Sequence, residues 1–211
     1  MKRQYHLGLV LGRFQGLHAG HEAVIRKALS VCERVVVMIG SADKEGTAHD
    51  PFPVSLRSKM LTAMFPRLVK SGRLILVPLR DLGVGNVPAW GDYVLENAKA
   101  AVGMPECIVY GDEDKCRTWF PNHPEIRYIS LNRKDIEMNG TRLRKIILKN
   151  EEETFRKYTC RGLHPFFPKL REILLGIEAK GLTDLPEGED VFACKGKSEL
   201  KREVPVQQRN V

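Results

Sequence analysis

Residues 5–21 read YHLGLVLGRFQGLHAGH, and this stretch decides the fold. The apolar run Tyr5–Leu11 predicts a buried strand that ends at Gly12. Apolar residues at helical spacing over His21–Val31 predict a helix soon afterwards. A strand that leads through a short glycine-containing loop into a helix is typical of α/β proteins, which bind ligands at the carboxyl ends of their strands.

The same alternation continues along the chain. Further strands are predicted at Arg34–Ile39, Arg73–Val77, Cys107–Tyr110 and Ile126–Leu131. Further helices are predicted at Ser55–Val69, with Ser55 as its N-cap, and at Trp90–Val102, Thr141–Lys149 and Pro168–Ile177. Strands separated by helices of this length predict βαβ units and a doubly wound parallel sheet with helices on both faces.

Composition limits the classes of function. The chain has 211 residues, of which 34 are Lys or Arg and 26 are Asp or Glu, so its formal net charge is +8. A hydrophobic content of 43% excludes wholesale disorder. The sequence contains no apolar run long enough for a membrane span, and the apolar run near its start is too short for a signal peptide. We therefore expect a cytoplasmic protein without a membrane partner, whose charge favours an anionic ligand.

Residues 1–180 are predicted to form one domain, and residues 181–211 a polar, loosely held tail. The alternative is that the tail packs as a strap across a neighbouring subunit. A homo-oligomer is therefore one of the possible states of the chain. The five cysteines are far apart and form no C-x-x-C motif; they are Cys32, Cys107, Cys116, Cys160 and Cys194. We expect them to be reduced thiols without a redox or zinc role.

The loop after the first strand carries side chains that suit a phosphate. His18 and His21 are three residues apart and so share one face of a helix N-terminus, where unpaired N–H groups and a partial positive charge favour anions. Gly12 and Gly20 allow the backbone to approach a ligand closely, and Arg13 adds a charge. Two surface histidines in a turn are the alternative, as is a zinc site, although no third ligand lies nearby in the sequence.

The decapeptide GRFQGLHAGH resembles the G-R-F-x-P-x-H-x-G-H signature of the HxGH nucleotidyltransferase superfamily. Gly16 stands where that family usually has proline. The resemblance implies a Rossmann-like, nucleotidyltransferase-type sheet with C-terminal helices. It also implies an ATP site that takes seven residues from this loop, the two histidines and Arg13 being catalytic: Gly12, Arg13, Phe14, Gln15, His18, Gly20 and His21.

The segment after the second strand narrows the resemblance. Gly40-Ser41-Ala42, followed by Asp50-Pro51-Phe52 and Arg57, resembles the G-S-A, [ND]-P-F and R block of archaeal-type nicotinamide-nucleotide adenylyltransferases. The resemblance implies that Gly40 and Ser41 contact the acceptor nucleotide and that Arg57 contacts the polyphosphate. A solvated helix arginine is the alternative for Arg57.

The segment after the third strand resembles the part of that family that holds the nicotinamide nucleotide. Val77–Asp81 closes the strand, and Asn86, Trp90 and Tyr93 follow. The indole of Trp90 could stack on the cationic nicotinamide ring, while Asp81 and Asn86 could bind its carboxamide or the ribose. Ordinary core packing is the alternative for Trp90.

The segment NGTRLR at residues 139–144 resembles the superfamily's I-S-x-T-x-I-R signature, with Asn139 where serine is common. Thr141 is predicted to cap the following helix and to offer its hydroxyl to a phosphate. Arg144 is implied to be catalytic at the β- and γ-phosphates, which its planar fork suits. The implied ATP site thus gains five residues outside the first loop besides Arg57: Gly111, Asn139, Thr141, Arg142 and Arg144.

The resemblance implies transfer of an adenylyl group from ATP to nicotinamide mononucleotide, giving NAD and pyrophosphate. Mg²⁺ is expected to be bound mainly through the ATP phosphates, because the sequence shows no dedicated carboxylate cage. The alternatives are another acceptor, such as nicotinate mononucleotide or phosphopantetheine, the use of CTP, and a non-catalytic nucleotide sensor. Nucleic-acid binding is disfavoured, because basic residues concentrate at the phosphate motifs instead of along one face.

Overall fold

The computed structural model describes residues 3–83, 88–111, 117–132 and 138–181. Its strands are β1 Tyr5–Gly12, β2 Cys32–Ile39, β3 Leu74–Pro78, β4 Cys107–Tyr110 and β5 Arg127–Ser130. Its helices are α1 Ala19–Val31, α2 Val54–Met64, α3 Pro66–Lys70, α4 Pro88–Val102, α5 Gly140–Leu148, α6 Glu152–Tyr158 and α7 Phe167–Glu178. Two short 3₁₀ helices lie at Arg117–Trp119 and Arg161–Phe166.

The strands form one parallel sheet in the order β3-β2-β1-β4-β5. The chain moves outward from β1 through β2 to β3, and then returns to the other side of β1 with β4. In open α/β sheets, ligands bind beyond the carboxyl ends of the strands at such a reversal. The predicted parallel sheet is therefore confirmed, and its reversal lies between the loops that follow Gly12 and Tyr110.

Both faces of the sheet are covered. Along β2, Val35 and Val37 face one hydrophobic core, whereas Val36 and Met38 face the other, as the alternation of side chains along a strand requires. Helices α1, α2, α5 and α7 contribute to the first core, and α4 with the 117–119 turn contributes to the second. The sheet is thus doubly wound, which explains why its central strands are continuous apolar runs.

The single helix predicted at Ser55–Val69 is wrong in two details. The chain breaks at Phe65, whose φ of −132° and ψ of 52° are not helical, and Pro66 begins α3. Proline has no N–H to continue the helix, and its ring disfavours the helical conformation of the residue before it. Ser55 is not the N-cap, because Pro53 occupies that position.

Cys32 and Cys107 meet near the amino end of the sheet, across Gly8. Their Sγ atoms are 3.4 Å apart, and both residues are fully buried. A Cβ at Gly8 would lie 2.4 Å from Cys32 Sγ, so only glycine leaves the two thiols room to meet. Both are free thiols, with no S–S bond between them.

Most of the predicted tail, residues 182–211, lies outside the described residues, as do Cys116 and Cys194. The boundary at residue 180 therefore stays a prediction. In the part of the chain that the structure describes, no helix is both long enough and apolar enough to cross a bilayer.

Candidate active site

The two histidines of the first loop lie side by side at the start of α1. His18 is the N-cap, and its Nδ1 accepts a hydrogen bond from Gly20 N at 3.0 Å. The ring centroids of His18 and His21 are 4.1 Å apart. Because Nδ1 is an acceptor, a neutral His18 carries its proton on Nε2, from which it can donate to a phosphate oxygen. The structure thus brings both histidines to a helix N-terminus beside the carboxyl end of β1.

Phe14 shapes this loop from within the core. Its φ is +56°, its ring is buried, and the ring centroid lies 5.1 Å from that of His21. The left-handed conformation costs a bulky residue about 1–2 kcal/mol, and strain of this kind concentrates at ligand sites. Gly12 leaves room for the Phe14 ring, since a Cβ at residue 12 would lie 3.0 Å from Phe14 Cζ. The Phe14 ring therefore supports His21, and only the backbone of Phe14 is left to meet a nucleotide.

Gln15 connects three segments of the chain. Its Nε2 donates to Phe52 O at 3.1 Å, and its Oε1 accepts from Phe52 N at 2.9 Å. Arg144 Nη1 donates to the carbonyl oxygen of Gln15 at 2.7 Å. Gln15 is 4% exposed, and both ends of its side-chain amide are engaged by Phe52. The side chain of Gln15 thus holds the first loop against the segment after β2, and the ATP contact that the resemblance implies stays a prediction.

Arg57 is buried at the ends of β1 and β2, so the alternative of a solvated helix arginine is wrong. It is fully buried, and its Nη1 donates to the carbonyl oxygens of Arg13 and Gly40, both at 2.7 Å. Its Nη2 donates to Ser41 O at 2.9 Å. Burial lowers the pKa of Arg57 to about 10, which still leaves the guanidinium charged at neutral pH. Its fork therefore joins the ends of β1 and β2, and the polyphosphate contact that the resemblance implies stays a prediction.

Arg13 is held by two neighbours from the loop after β2. Its Nη1 lies 2.8 Å from His49 Nε2 and 3.4 Å from Asp50 Oδ1, and His49 Nδ1 lies 2.8 Å from Asp50 Oδ2. Burial raises the pKa of Asp50, but the hydrogen bond with His49 and the charge of Arg13 outweigh it and hold the pKa below its usual value. The sequence drew attention to Asp50 only through the D-P-F block and gave no signal for His49.

The start of α5 is capped two positions earlier than predicted. Asn139, and not Thr141, is the N-cap, and its Oδ1 accepts from Arg142 N at 2.8 Å. Asparagine caps a helix as well as serine does, so the departure from the family's serine is harmless here. Thr141 lies in the first turn, where its hydroxyl accepts from Arg144 Nη2 at 3.2 Å. Arg144 is 4% exposed and Arg142 is exposed.

Gly16 brings the backbone of the first loop into contact with the start of α5. Its φ is +144°, and a Cβ there would lie 2.9 Å from the carbonyl oxygen of Gly140. Proline fixes φ near −65°, so the residue usual in the family could not adopt this conformation. Glycine at position 16 therefore allows the backbone of the first loop to contact the backbone at the start of α5.

We expect Gly16→Ala to lower the free energy of unfolding by about 1–3 kcal/mol, because only glycine adopts this φ without strain. Urea unfolding followed by circular dichroism measures the loss. Gly46→Ala is the matched control: Gly46 has a φ of +71°, but among the described residues a Cβ there would meet no atom within 4 Å. That control should lose about 1–2 kcal/mol from strain alone, and a larger loss there than at Gly16 would contradict the contact with Gly140.

The residues predicted for the acceptor lie at the ends of β2 and β3. Gly40 N donates to Gly12 O at 2.9 Å, which places Gly40 beside the first loop. Ser41 is buried and has a φ of +47°, a second strained residue at this edge. Asp81 follows β3, and its Oδ2 accepts from Lys44 Nζ at 2.6 Å. Asn86 lies outside the described residues.

Trp90 and Tyr93 lie in the first two turns of α4. Trp90 is 8% exposed and packs in the second core, and its ring centroid lies 5.7 Å from that of Tyr93. Most of the indole is therefore in contact with the core, as the alternative of core packing requires. Only the small exposed part of the Trp90 indole can contact a ligand.

The reversal of the sheet thus collects groups that suit a polyphosphate. The N-terminus of α1, two imidazoles and the guanidinium of Arg13 lie beside the end of β1, and Gly111 directly follows β4. Arg144 reaches the first loop from α5 through the carbonyl of Gln15. Helix N-termini and arginine forks are the groups that bind phosphate oxygens best. Among the described residues, no three His, Cys, Asp or Glu side chains are grouped as metal ligands.

This fold is that of a nucleotidyltransferase-type α/β domain. The chain belongs to the cytidylyltransferase-like family, which it matches over residues 9–138, from within β1 to just before α5. The match confirms the resemblance carried by the first loop.

Within this family, the chain is similar to curated nicotinamide-nucleotide adenylyltransferases. A nicotinamide-nucleotide adenylyltransferase of Thermococcus onnurineus is 28% identical over 144 residues, which cover 68% of this chain and 73% of the relative. The enzyme of the same name from Thermococcus kodakarensis is 28% identical over 167 residues, which cover 79% and 84%.

Solved structures share the fold. A bifunctional NMN adenylyltransferase/ADP ribose pyrophosphatase from Francisella tularensis matches 84% of this chain with a TM-score of 0.66 and 22% identity. The chain spans about half of that longer protein, 53%, so the likeness concerns the fold of one part of it.

Proposed function

We propose that the chain transfers the adenylyl group of ATP to nicotinamide mononucleotide, giving NAD and pyrophosphate. The observation that carries the proposal is the pair of His18 and His21 at the N-terminus of α1, at the reversal of the sheet. The acceptor follows from the curated relatives, which are nicotinamide-nucleotide adenylyltransferases and match two thirds or more of the chain, 68% and 79%.

In this reaction, a phosphate oxygen of the mononucleotide attacks the α-phosphorus of ATP in line. The bond from the α-phosphorus to the bridging oxygen breaks, and pyrophosphate leaves with the electron pair. The protein forms no covalent bond, so catalysis consists of positioning and of stabilising charge. His18 and His21 donate to the α- and β-phosphate oxygens, while Arg13 and Arg144 balance the charge of the leaving pyrophosphate.

We propose Mg²⁺ as the cation, bound mainly through the ATP phosphates. The carboxylate of Asp50, beside the first loop, already contacts Arg13 and His49. The residues present therefore suit a cation that arrives with its nucleotide, and Mg²⁺ is often bound in this way. A Francisella tularensis relative was crystallised with AMP and a manganese ion, which supports a divalent cation. The cation would neutralise phosphate charge as the reaction proceeds.

A panel of acceptors tests the proposal directly. The protein is incubated with ATP and Mg²⁺ and with nicotinamide mononucleotide, nicotinate mononucleotide or phosphopantetheine, and the release of pyrophosphate is measured. We expect the highest kcat/KM with nicotinamide mononucleotide, and a parallel series with CTP should be slow. No pyrophosphate release with any mononucleotide, from protein with a cooperative unfolding transition, would refute the proposed reaction.

Trp90→Ala should raise the KM for nicotinamide mononucleotide about tenfold and change the KM for ATP much less, because a cation–π contact to the pyridinium ring is lost. Steady-state kinetics with each substrate varied in turn measure both values. Trp119→Ala is the matched control, since Trp119 is a buried tryptophan of the same core, 4% exposed. If both variants lose stability and neither changes the KM of the acceptor selectively, Trp90 is a core residue only.

A further inference from the structure

The loop after β2 is fastened to the loop after β3 by three contacts, which we call the loop clamp. Lys44 Nζ donates to Asp81 Oδ2 at 2.6 Å. Asp81 N donates to Asp43 Oδ1 at 2.8 Å. Ala42 N donates to Leu79 O at 2.9 Å, so backbone and side chains act at the same place.

Both oxygens of the Asp81 carboxylate accept hydrogen bonds, one of them within the clamp. While Oδ2 accepts from Lys44, Oδ1 accepts from Gly83 N at 3.1 Å and turns the chain that leaves β3. The hydrogen bond from Lys44 lowers the pKa of Asp81 against the opposing effect of burial. The same bond raises the pKa of Lys44, so both partners stay charged throughout the neutral range.

We propose that Asp43 and Lys44 are positioning residues for the acceptor nucleotide. The inference rests on the proposed function and on the sequence resemblance, which assigns Asp81, in the loop after β3, to the mononucleotide. A loop that is already ordered loses less conformational entropy when a ligand binds, so the clamp lowers the KM of the acceptor. The ATP groups on the first loop and on α5 are held by other contacts, made by Arg57 and Gln15. Loss of the clamp therefore weakens the acceptor selectively.

Two substitutions with opposite effects on charge separate positioning from long-range attraction. Lys44→Met and Asp43→Ala should each raise the KM for nicotinamide mononucleotide about two- to fivefold and leave the KM for ATP and kcat nearly unchanged. Attraction of an anionic acceptor alone would move the two KM values in opposite directions, because one variant loses a positive charge and the other a negative charge. That opposite movement would overturn the inference.

Further variants separate the charge of Lys44 from the contact that it makes. Lys44→Arg should restore most of the acceptor KM, because arginine can donate to the same carboxylate. Lys59→Met, at an exposed lysine of α2, removes the same charge without touching the clamp and should leave the KM unchanged. An acceptor KM that rises equally in Lys59→Met and Lys44→Met would contradict a specific role for Lys44.

Amide hydrogen exchange reports on the clamp without reference to activity. In Asp43→Ala, the amide of Asp81 loses its acceptor and should exchange several-fold faster, measured by NMR on the full chain. Unchanged exchange there overturns the inference. If the wild type releases no pyrophosphate with any mononucleotide, the proposed function and the role in acceptor binding both fail, while faster exchange would still establish the contact itself.

Discussion

Replacing His21 with alanine is expected to lower kcat for adenylyl transfer about 10²–10³-fold, the usual cost of losing one preorganised donor to a developing negative charge. The imidazole is already placed for this task, 4.1 Å from the ring of His18 and supported by Phe14 at 5.1 Å. The free energy of unfolding should fall by no more than about 1 kcal/mol. Pyrophosphate release and urea unfolding on the same preparation measure the two effects.

Two companion variants sharpen this test. His6→Ala removes a largely exposed imidazole, 63% accessible, and should leave kcat unchanged. His18→Asn keeps an N-cap for α1 but removes the Nε2 donor, so it should lower kcat without a large loss of stability. If His21→Ala retained a kcat near that of the wild type, the histidine pair would have no role in the chemical step.

Arg57→Met should lower the free energy of unfolding by about 3 kcal/mol or more. Three carbonyl oxygens at the ends of β1 and β2 lose their donor, and each buried group left unpaired costs about 1–3 kcal/mol. The three hydrogen bonds are short, at 2.7, 2.7 and 2.9 Å, and methionine has no N–H group to replace them. Equilibrium unfolding in urea measures the loss, and the KM values of both substrates should rise, because both loops are released.

Two control variants distinguish a structural role of Arg57, as a donor to backbone carbonyls, from a role in binding phosphate. Arg67→Met changes an exposed arginine of α3 and should leave stability within about 0.5 kcal/mol of the wild type. Arg57→Lys keeps the charge without the fork and should lose an intermediate amount of stability. A stable Arg57→Met protein with a selective loss of ATP affinity would instead support the polyphosphate contact that the sequence resemblance implies.

The sheet could be predicted from the sequence because its strands are buried on both faces. β1, predicted at Tyr5–Leu11, ends only one residue later, and β4 has the predicted bounds. The break before Pro66 was missed, because apolar residues continue through it at helical spacing and conceal the effect of the ring on Phe65.

The site was only half predictable. The first loop showed its histidines through residue type and local spacing, which need no knowledge of the fold. The contacts of Arg57 and Lys44 join residues 16 to 44 positions apart in sequence, so they depend on the order of the strands. A sequence shows that an arginine is charged, but which carbonyls surround it is decided only when β1 and β2 lie side by side.

The two buried thiols at the amino end of the sheet also allow local unfolding of the sheet to be measured. Cys32 and Cys107 are fully shielded, so an alkylating reagent reaches them only in molecules whose central strands have separated. The rate of labelling at these two positions, read by peptide mass spectrometry, gives the free energy of that opening in native buffer. Variants such as Arg57→Met can thus be ranked in the buffer of the kinetic assay, without denaturant.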